Sequence, residues 1–406
     1  MLPIKFNVII PTRERADTLY HSLRTVIAQD YENLNIIVSD NYSKDNTRDV
    51  VGSFSDTRIK YINTGRRLSM SHNWEYALNH VKDGWVMFLG DDDGLYPWAL
   101  QTLNQLIQKY NVDAIWSNIG SFQWPGHFAD SWGGRLSIPL TTSVILKQSR
   151  SEIERVFSRG LLNTGLPWLY LGGTASINLI NRARDQHGRF FCSQIPDIYS
   201  AVALSFATEK YLAIKTPIAV NGTSKHSNGN AWLRSTGDKE EKPSLLFQSE
   251  QNIPFHESLI YGKSFQVILY ECYLQSWHIH HGALGISLND QLQLAIKVAS
   301  SSQLKNIQKQ CHMIAMKNGL SFTNKGMVWP YKLLRISSVI RSEFWSVMID
   351  PTRLKVLNVY DAVIASAHIY QFMTSGFYGR ISCLLIGFIR RTILKIKKLI
   401  ITASGG

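Results

Sequence analysis

The chain is poor in cysteine, short of acidic residues and without an apolar run long enough to cross a bilayer. Cysteine occurs four times in 406 residues, at Cys192, Cys272, Cys311 and Cys383. These are too far apart for the paired spacing of a zinc site, and too few for the framework of a disulfide-stapled secreted domain. A reducing compartment is therefore expected. The N-terminal segment Met1-Leu2-Pro3-Ile4-Lys5-Phe6-Asn7 lacks the apolar stretch and small-residue cleavage site of a signal peptide, which makes the cytoplasm the expected location. Asp and Glu number 30 against 43 Lys and Arg, a formal net charge of +13. That excess suits phosphates, nucleic acid or an anionic membrane surface, and its distribution must choose among them.

What is present is ample core material: 45% of residues are hydrophobic and 11% aromatic. The first part of the chain alternates short apolar runs with helical periodicity. Val8 to Ile10, Leu34 to Val38, Ile59 to Ile62, Trp85 to Leu89 and Ala114 to Trp116 read as strands. Asp17 to Ala28, Ser43 to Phe54 and Trp74 to Val81 read as helices between them. This βαβ pattern predicts an α/β fold on a largely parallel sheet, with ligands held beyond the carboxyl ends of the strands. Pro11-Thr12-Arg13-Glu14, Asp40-Asn41 and Asp91-Asp92-Asp93 all fall at such ends.

The acidic triplet that follows Gly90 is the strongest chemical signal. Three adjacent carboxylates at the end of a buried strand repel one another, and a divalent cation with a phosphate beyond it is the usual compensation. A solvated acidic turn is the plainer alternative.

Four segments taken in order, Val8-Ile9-Ile10-Pro11-Thr12-Arg13, Ile37-Val38-Ser39-Asp40-Asn41-Tyr42-Ser43-Lys44-Asp45-Asn46-Thr47, Asn73 in a helix entry, and Phe88-Leu89-Gly90-Asp91-Asp92-Asp93 with Pro97 behind, carry a family likeness. The chain resembles the family 2 glycosyltransferases of the GT-A fold. The likeness runs from about residue 5 to 120, more loosely to about 235, and not beyond. It implies a Rossmann-like, mostly parallel sheet with flanking helices. Residues 1–240 would form the GT-A domain, nucleotide-binding to about 120 and acceptor-binding from 121.

The resemblance also implies roles. Pro11, Thr12 and Glu14 would contact base or ribose, and Arg13 a phosphate. Asp40 would accept a hydrogen bond from the base edge, and Asn41 stands where a second acidic residue often occurs. Arg67 and Asn73 lie where relatives wrap the diphosphate. Asp45-Asn46-Thr47 reads as a polar turn and cap. The triplet departs from the common Asp-x-Asp pattern. Anchored on Phe88-Leu89, Gly90 takes the first Asp position and Asp92 the third; read alone, Asp91 and Asp93 make the pair. Asp91 and Asp92 are candidates for the nucleotide, and Asp92 and Asp93 for Mn²⁺ or Mg²⁺, hard cations that prefer oxygen ligands. Inverting relatives use a carboxylate base in the second half of the domain. Asp197, after Pro196 and before an apolar helix-like stretch, matches that position, with helix capping as the plainer reading and Asp185 as the fallback. His226, in the polar run Asn221 to Gly229, sits where some relatives place a metal- or diphosphate-binding His. Leu171 to Ser176 would suit an acceptor floor or a tight turn into a strand, and Trp124, Trp132 and Trp168 would suit sugar stacking or core packing.

From about residue 245 the pattern turns helical, at Pro254 to Gln275, Leu288 to Met316, Tyr331 to Met348 and Leu354 to Met373, with no catalytic motif across 241–375. His278-Ile279-His280-His281 reads as a polar helix end. Residues 376–406 end in Arg390, Arg391, Lys395, Lys397 and Lys398 interleaved with Ile and Leu, a basic amphipathic pattern that fits the anionic inner face of a membrane. The expected activity is a metal-dependent, inverting transfer of a sugar from a nucleotide-diphosphate sugar, UDP favoured, to a glycan or lipid-linked acceptor in surface polysaccharide or glycan synthesis, at the periphery of the membrane. A sugar nucleotidyltransferase needs a Gly-rich loop after its first strand, and Thr12 to Asp17 contains no Gly. A non-catalytic membrane- or anion-binding protein is the remaining class. No nucleic-acid-binding signature is present.

Overall fold

The computed structural model describes residues 2–126, 136–160, 165–225, 247–300, 303–322, 346–350 and 354–374. His226, Trp132, Cys383 and the tail 376–406 lie outside them.

The first half winds as read from the sequence. In chain order come β1 (Phe6–Thr12), α1 (Ala16–Ile27), β2 (Leu34–Asp40), α2 (Thr47–Gly52), β3 (Ile59–Asn63), α3 (Met70–Leu78) and β4 (Trp85–Phe88). The strands lie in the order β4-β1-β2-β3, all parallel, with Thr12 level with Asp40 and Ile9 with Phe88. Side chains alternate across the sheet, so Val8, Ile10, Ile36, Val38, Met87 and Leu89 enter one core with α1, while Ile9, Ile37, Val86 and Phe88 enter the other with α3. Helix α3 starts earlier than its apolar spacing suggests because Ser69 caps it, its Oγ accepting from His72 N–H.

Next follow β5 (Gly94–Leu95), α4 (Ala99–Tyr110), β6 (Ala114–Gln123), β7 (Leu136–Pro139), β8 (Val144–Gln148), α5 (Ser149–Arg159), β9 (Thr174–Ser176), α6 (Ile177–Arg182), α7 (Pro196–Ala207) and β10 (Lys210–Thr223). Strand β9 joins β4 to β6 antiparallel to both, and β10 runs parallel to β6 from Ile115 to Gln123. The two longest ladders of the sheet are parallel; the shorter strands β5, β7 and β8 add antiparallel edges.

The later chain adds α8 (Phe265–Gln275), α9 (Trp277–His280), α10 (Leu288–Val298), α11 (Leu304–Lys317), β11 (Ser346–Ile349) and α12 (Val359–Thr374). Helices α8, α10 and α11 share one core with α3 and α7. Helix α12 packs on the other side, against β7 and β10. The helix expected through Leu288 to Met316 breaks where Ala299 turns extended, at ψ 142°. Of the helix expected over Tyr331 to Met348, residues 331–345 lie outside the described residues; Ser346 to Met348 belong to β11, whose antiparallel ladder with β7 satisfies backbone groups that an open sheet edge would leave unpaired. Among the described residues, no helix is long and apolar enough to cross a membrane.

Candidate active site

The carboxyl ends of β1, β2 and β4 open into a cavity of about 430 Å³. All three carboxylates of the triplet lie at its wall, each no more than 5% exposed. Their surroundings differ. Asp91 accepts from Thr12 Oγ1 at 2.8 Å and from Arg15 Nη1 at 3.0 Å, one donor to each oxygen. Burial pushes its carboxyl above the usual range, and the Arg15 guanidinium pulls part of the way back. Asp93 accepts from Gly222 N–H at 2.8 Å on one oxygen, and from Gly90 N–H at 3.0 Å and Tyr170 OH at 2.8 Å on the other. Burial, then the neighbouring Asp92 charge, pushes it well up. Asp92 accepts from Ser224 Oγ at 2.6 Å, and its carbonyl takes the indole N–H of Trp124 at 3.0 Å.

This packing explains the glycine at position 90. A Cβ there would lie 2.3 Å from Asp93 Oδ2, and one on Gly222 only 1.7 Å from the Asp92 carbonyl oxygen. Asp93 folds back over Gly90, and β10 crosses directly above Asp92, so neither position has room for a side chain.

The residues singled out from the sequence divide into those at the cavity and those behind it. Pro11, Thr12, Arg13, Asn41 and Asn73 line the cavity together with the triplet, and Asp197 lies across the same space. Asn41 is held by reciprocal bonds with Leu68, Nδ2 to the carbonyl and backbone N–H to Oδ1, both 2.8 Å. Asn73 Oδ1 accepts from Ser39 Oγ at 2.8 Å. Glu14, Asp40 and Arg67 are not at the cavity wall. Glu14, at φ 53°, staples two loops by accepting from the backbone of Lys44 and Asp45. Asp40 accepts from Ser43 N–H at 2.9 Å, Tyr61 OH at 2.6 Å and Asn63 Nδ2 at 2.9 Å, so three protein donors surround its carboxylate. Asp45 closes a polar turn onto Thr47 and the start of α1.

Asp197 stands in the first turn of α7, with Pro196 at the first position and Ile195 at the N-cap. Burial raises its carboxyl, and the backbone N–H groups of Ile198 and Asp197 draw it part of the way back. Asp185 instead closes a loop on Arg189 and His187. Thr174 and Ser176 are sheet residues: Thr174 Oγ1 bonds the Val86 carbonyl, and Ser176 caps α6 and bonds Asp113. His280 is a buried helix end, stacked on Tyr273 at 4.3 Å.

Three cavity residues carried no motif. Arg15 follows from charge alone, since a buried acidic triplet demands a cation. Tyr170 precedes the Gly pair already noted. Glu250 had no signal at all; it pairs with Arg13 and lies 3.5 Å from Arg67 Nε, placing a carboxylate against a cation that lines the cavity.

Residues 7–143 match the family described as glycosyl transferase family 2. The chain is 38% identical over 104 residues to a GalNAc(5)-diNAcBac-PP-undecaprenol beta-1,3-glucosyltransferase of Campylobacter jejuni, covering 25% of this chain and 34% of that protein. It is 29% identical over 112 residues to the Escherichia coli UDP-Glc:alpha-D-GlcNAc-diphosphoundecaprenol beta-1,3-glucosyltransferase WfgD, covering 28% and 44% respectively. The chain thus spans less than half the length of these curated relatives. Staphylococcus aureus TarS 1-349, solved in complex with UDP-GlcNAc, aligns over 79% of this chain and 93% of that one at 13% identity, with a TM-score of 0.47. Over residues 7–143, then, the chain is similar to glycosyl transferase family 2.

Proposed function

We propose that the protein is a metal-dependent, inverting glycosyltransferase that moves a sugar from a UDP-sugar to a hydroxyl of a glycan or lipid-linked acceptor in surface polysaccharide synthesis. One observation carries this reading: a buried carboxylate triplet and the partly buried carboxyl of Asp197 line one cavity at the carboxyl edge of a parallel sheet. The lipid-linked acceptor is supported by the diphosphoundecaprenol-linked substrates named for the E. coli and C. jejuni relatives.

The donor set suits Mg²⁺ or Mn²⁺, being all oxygen. Mg²⁺ typically binds through one or two carboxylates, with phosphate and water oxygens completing its shell, and among the described residues no larger ligand cluster is present. Asp92 would hold the ion; its carboxylate also accepts from Ser224 Oγ, as Asp91 and Asp93 accept from the donors that fix the loop presenting it. When bound, the ion spreads the negative charge of the departing diphosphate. Arg13 adds a cation on the same side, and Asn73 a polar contact for ribose or phosphate. Asp197 accepts the acceptor's proton as that oxygen bonds the sugar's anomeric carbon, and the bond from this carbon to the diphosphate breaks on the opposite face. A thermal-shift screen against UDP, GDP, dTDP and CMP with Mn²⁺ tests the assignment. UDP should give the largest rise, and no rise with any of them would overturn it.

Glu250 offers a second check. Its carboxylate competes with a diphosphate for Arg13, which lines the cavity, so Glu250→Gln should bind UDP a few-fold more tightly, a gain of about 1 kcal/mol for a partly exposed pair. Calorimetry showing equal or weaker binding would remove Arg13 from the phosphate site.

Residues 376–406 are assigned to an anionic membrane surface on their basic amphipathic pattern. Deleting residues 378–406 should abolish cosedimentation of the full chain with phosphatidylglycerol vesicles; unchanged cosedimentation would place membrane contact elsewhere or nowhere.

A further inference from the structure

The segment that delivers Asp197 to the cavity, residues 190–195, is tied down at nearly every step. Phe190 and Phe191 N–H both donate to Glu75 Oε2 at 2.9 Å, and Glu75 lies on α3, the helix that carries Asn73. The Ser193 carbonyl accepts from Ser71 Oγ at 2.6 Å, and Gln194 Nε2 donates to the Ile253 carbonyl at 2.8 Å. The Ser193 hydroxyl donates to Glu271 Oε2 at 2.5 Å, and Gln275 Nε2 bonds the other Glu271 oxygen at 2.9 Å.

Glu271 is the unusual member. It sits on α8, is 0% exposed, and is flanked along that helix by Leu269, Cys272 and Tyr273 of the apolar core. Burial pushes its carboxyl up, with the bonds from Ser193 and Gln275 partly offsetting this. An apolar residue of similar volume would pack such a core at lower cost. What the carboxylate adds is direction. Ser193 is two residues before the N-cap Ile195 and four before Asp197, with Pro196 between them restricting the backbone.

We infer that Glu271 is a positioning residue: through Ser193 it sets the turn that aims the Asp197 carboxyl into the cavity, giving the helical region after residue 250 a direct part in the reaction. The inference rests on the reading of Asp197 as the base. General-base catalysis demands hydrogen-bond reach to the acceptor, and a displacement of about 1 Å can cost on the order of a hundredfold in rate.

The test measures UDP release from UDP-glucose in the full chain with Mn²⁺, water serving as acceptor, for Glu271→Leu, which removes the acceptor for the Ser193 hydroxyl at similar volume, Ser193→Ala and the double variant. Each single variant should lose about ten- to a hundredfold in kcat while UDP affinity by calorimetry stays within about twofold. The double variant should be no slower than the slower single, because both act through one bond. Wild-type kcat in either folded single variant, multiplying effects in the double, or a parallel fall in kcat and UDP affinity would each overturn the inference. Should Glu271→Leu fail to fold, Ser193→Ala decides alone. Asp197→Asn is the control. If it keeps turning over, the base assignment fails and the positioning role with it; if it is inactive while Glu271→Leu runs at the wild-type rate, only the positioning role fails.

Discussion

Asp197→Asn is expected to bind the UDP-sugar normally and turn over about 10²- to 10⁴-fold more slowly, the usual contribution of a positioned base. The amide keeps the size and polarity of the side chain but cannot take a proton. A merely structural Asp197 would give a different pattern, with altered stability and little change in rate. The pH dependence adds a second signature. Because burial raises the Asp197 carboxyl, it stays protonated, and unable to act as a base, over a wider acid range than an ordinary aspartate. kcat should climb with pH through a limb lying above about 3.9, and Asp197→Asn should lack that limb. The same upward shift means that the folded protein holds this proton more tightly than the unfolded chain. Stability from this group is then lost as pH rises from the ordinary aspartate value through the folded one. At neutral pH the Asn variant should therefore melt at or above the wild-type temperature. A melting point well below wild type, with turnover retained, would return Asp197 to a capping role.

Asp92→Ala should abolish the Mn²⁺-dependent part of nucleotide binding. An ion that bridges protein and diphosphate is worth several kcal/mol, so roughly a 10³-fold loss of UDP affinity in the presence of Mn²⁺ is expected, with little change in its absence. Asp93→Ala should fail differently. Gly222 N–H, Gly90 N–H and Tyr170 OH would lose their common acceptor, and each buried group left unpaired costs about 1–3 kcal/mol. Its melting temperature should fall sharply; Asp92→Ala, which strips the Ser224 hydroxyl of its acceptor, should lower it as well, but with the added loss of metal-dependent binding. If the two variants lose metal-dependent binding equally and keep equal stability, the division of labour within the triplet is wrong.

Much of the fold was legible because β1, β2 and β4 are buried on both faces. Such strands read as continuous apolar runs, each closed by a polar segment at its carboxyl end. The segments after β1 and β4 line the cavity because parallel strands place their carboxyl ends on one edge. Legibility ended where contacts span long sequence distances. Nothing local to Asp40 announces that Tyr61 and Asn63 will occupy its carboxylate. Nothing near Glu250 or Glu271 marks them as neighbours of Arg13 and Ser193. Ser346–Ile349, expected to be partly helical, is a strand for the same reason: a four-residue strand is dictated by the open edge it meets, and its own periodicity is too short to specify it.

For this protein the sequence by itself determined that a parallel sheet would form, and that a run of acidic side chains would stand at its carboxyl edge. Those facts follow from hydrophobic periodicity and from the direction of the chain. Only the tertiary structure decided what each carboxylate of the triplet does. Thr12 and Arg15 hold Asp91, while β10 and Tyr170 hold Asp93 through donors more than seventy residues away. A carboxylate's chemistry is set by the donors that reach it, and in this fold most of them arrive from distant strands and helices.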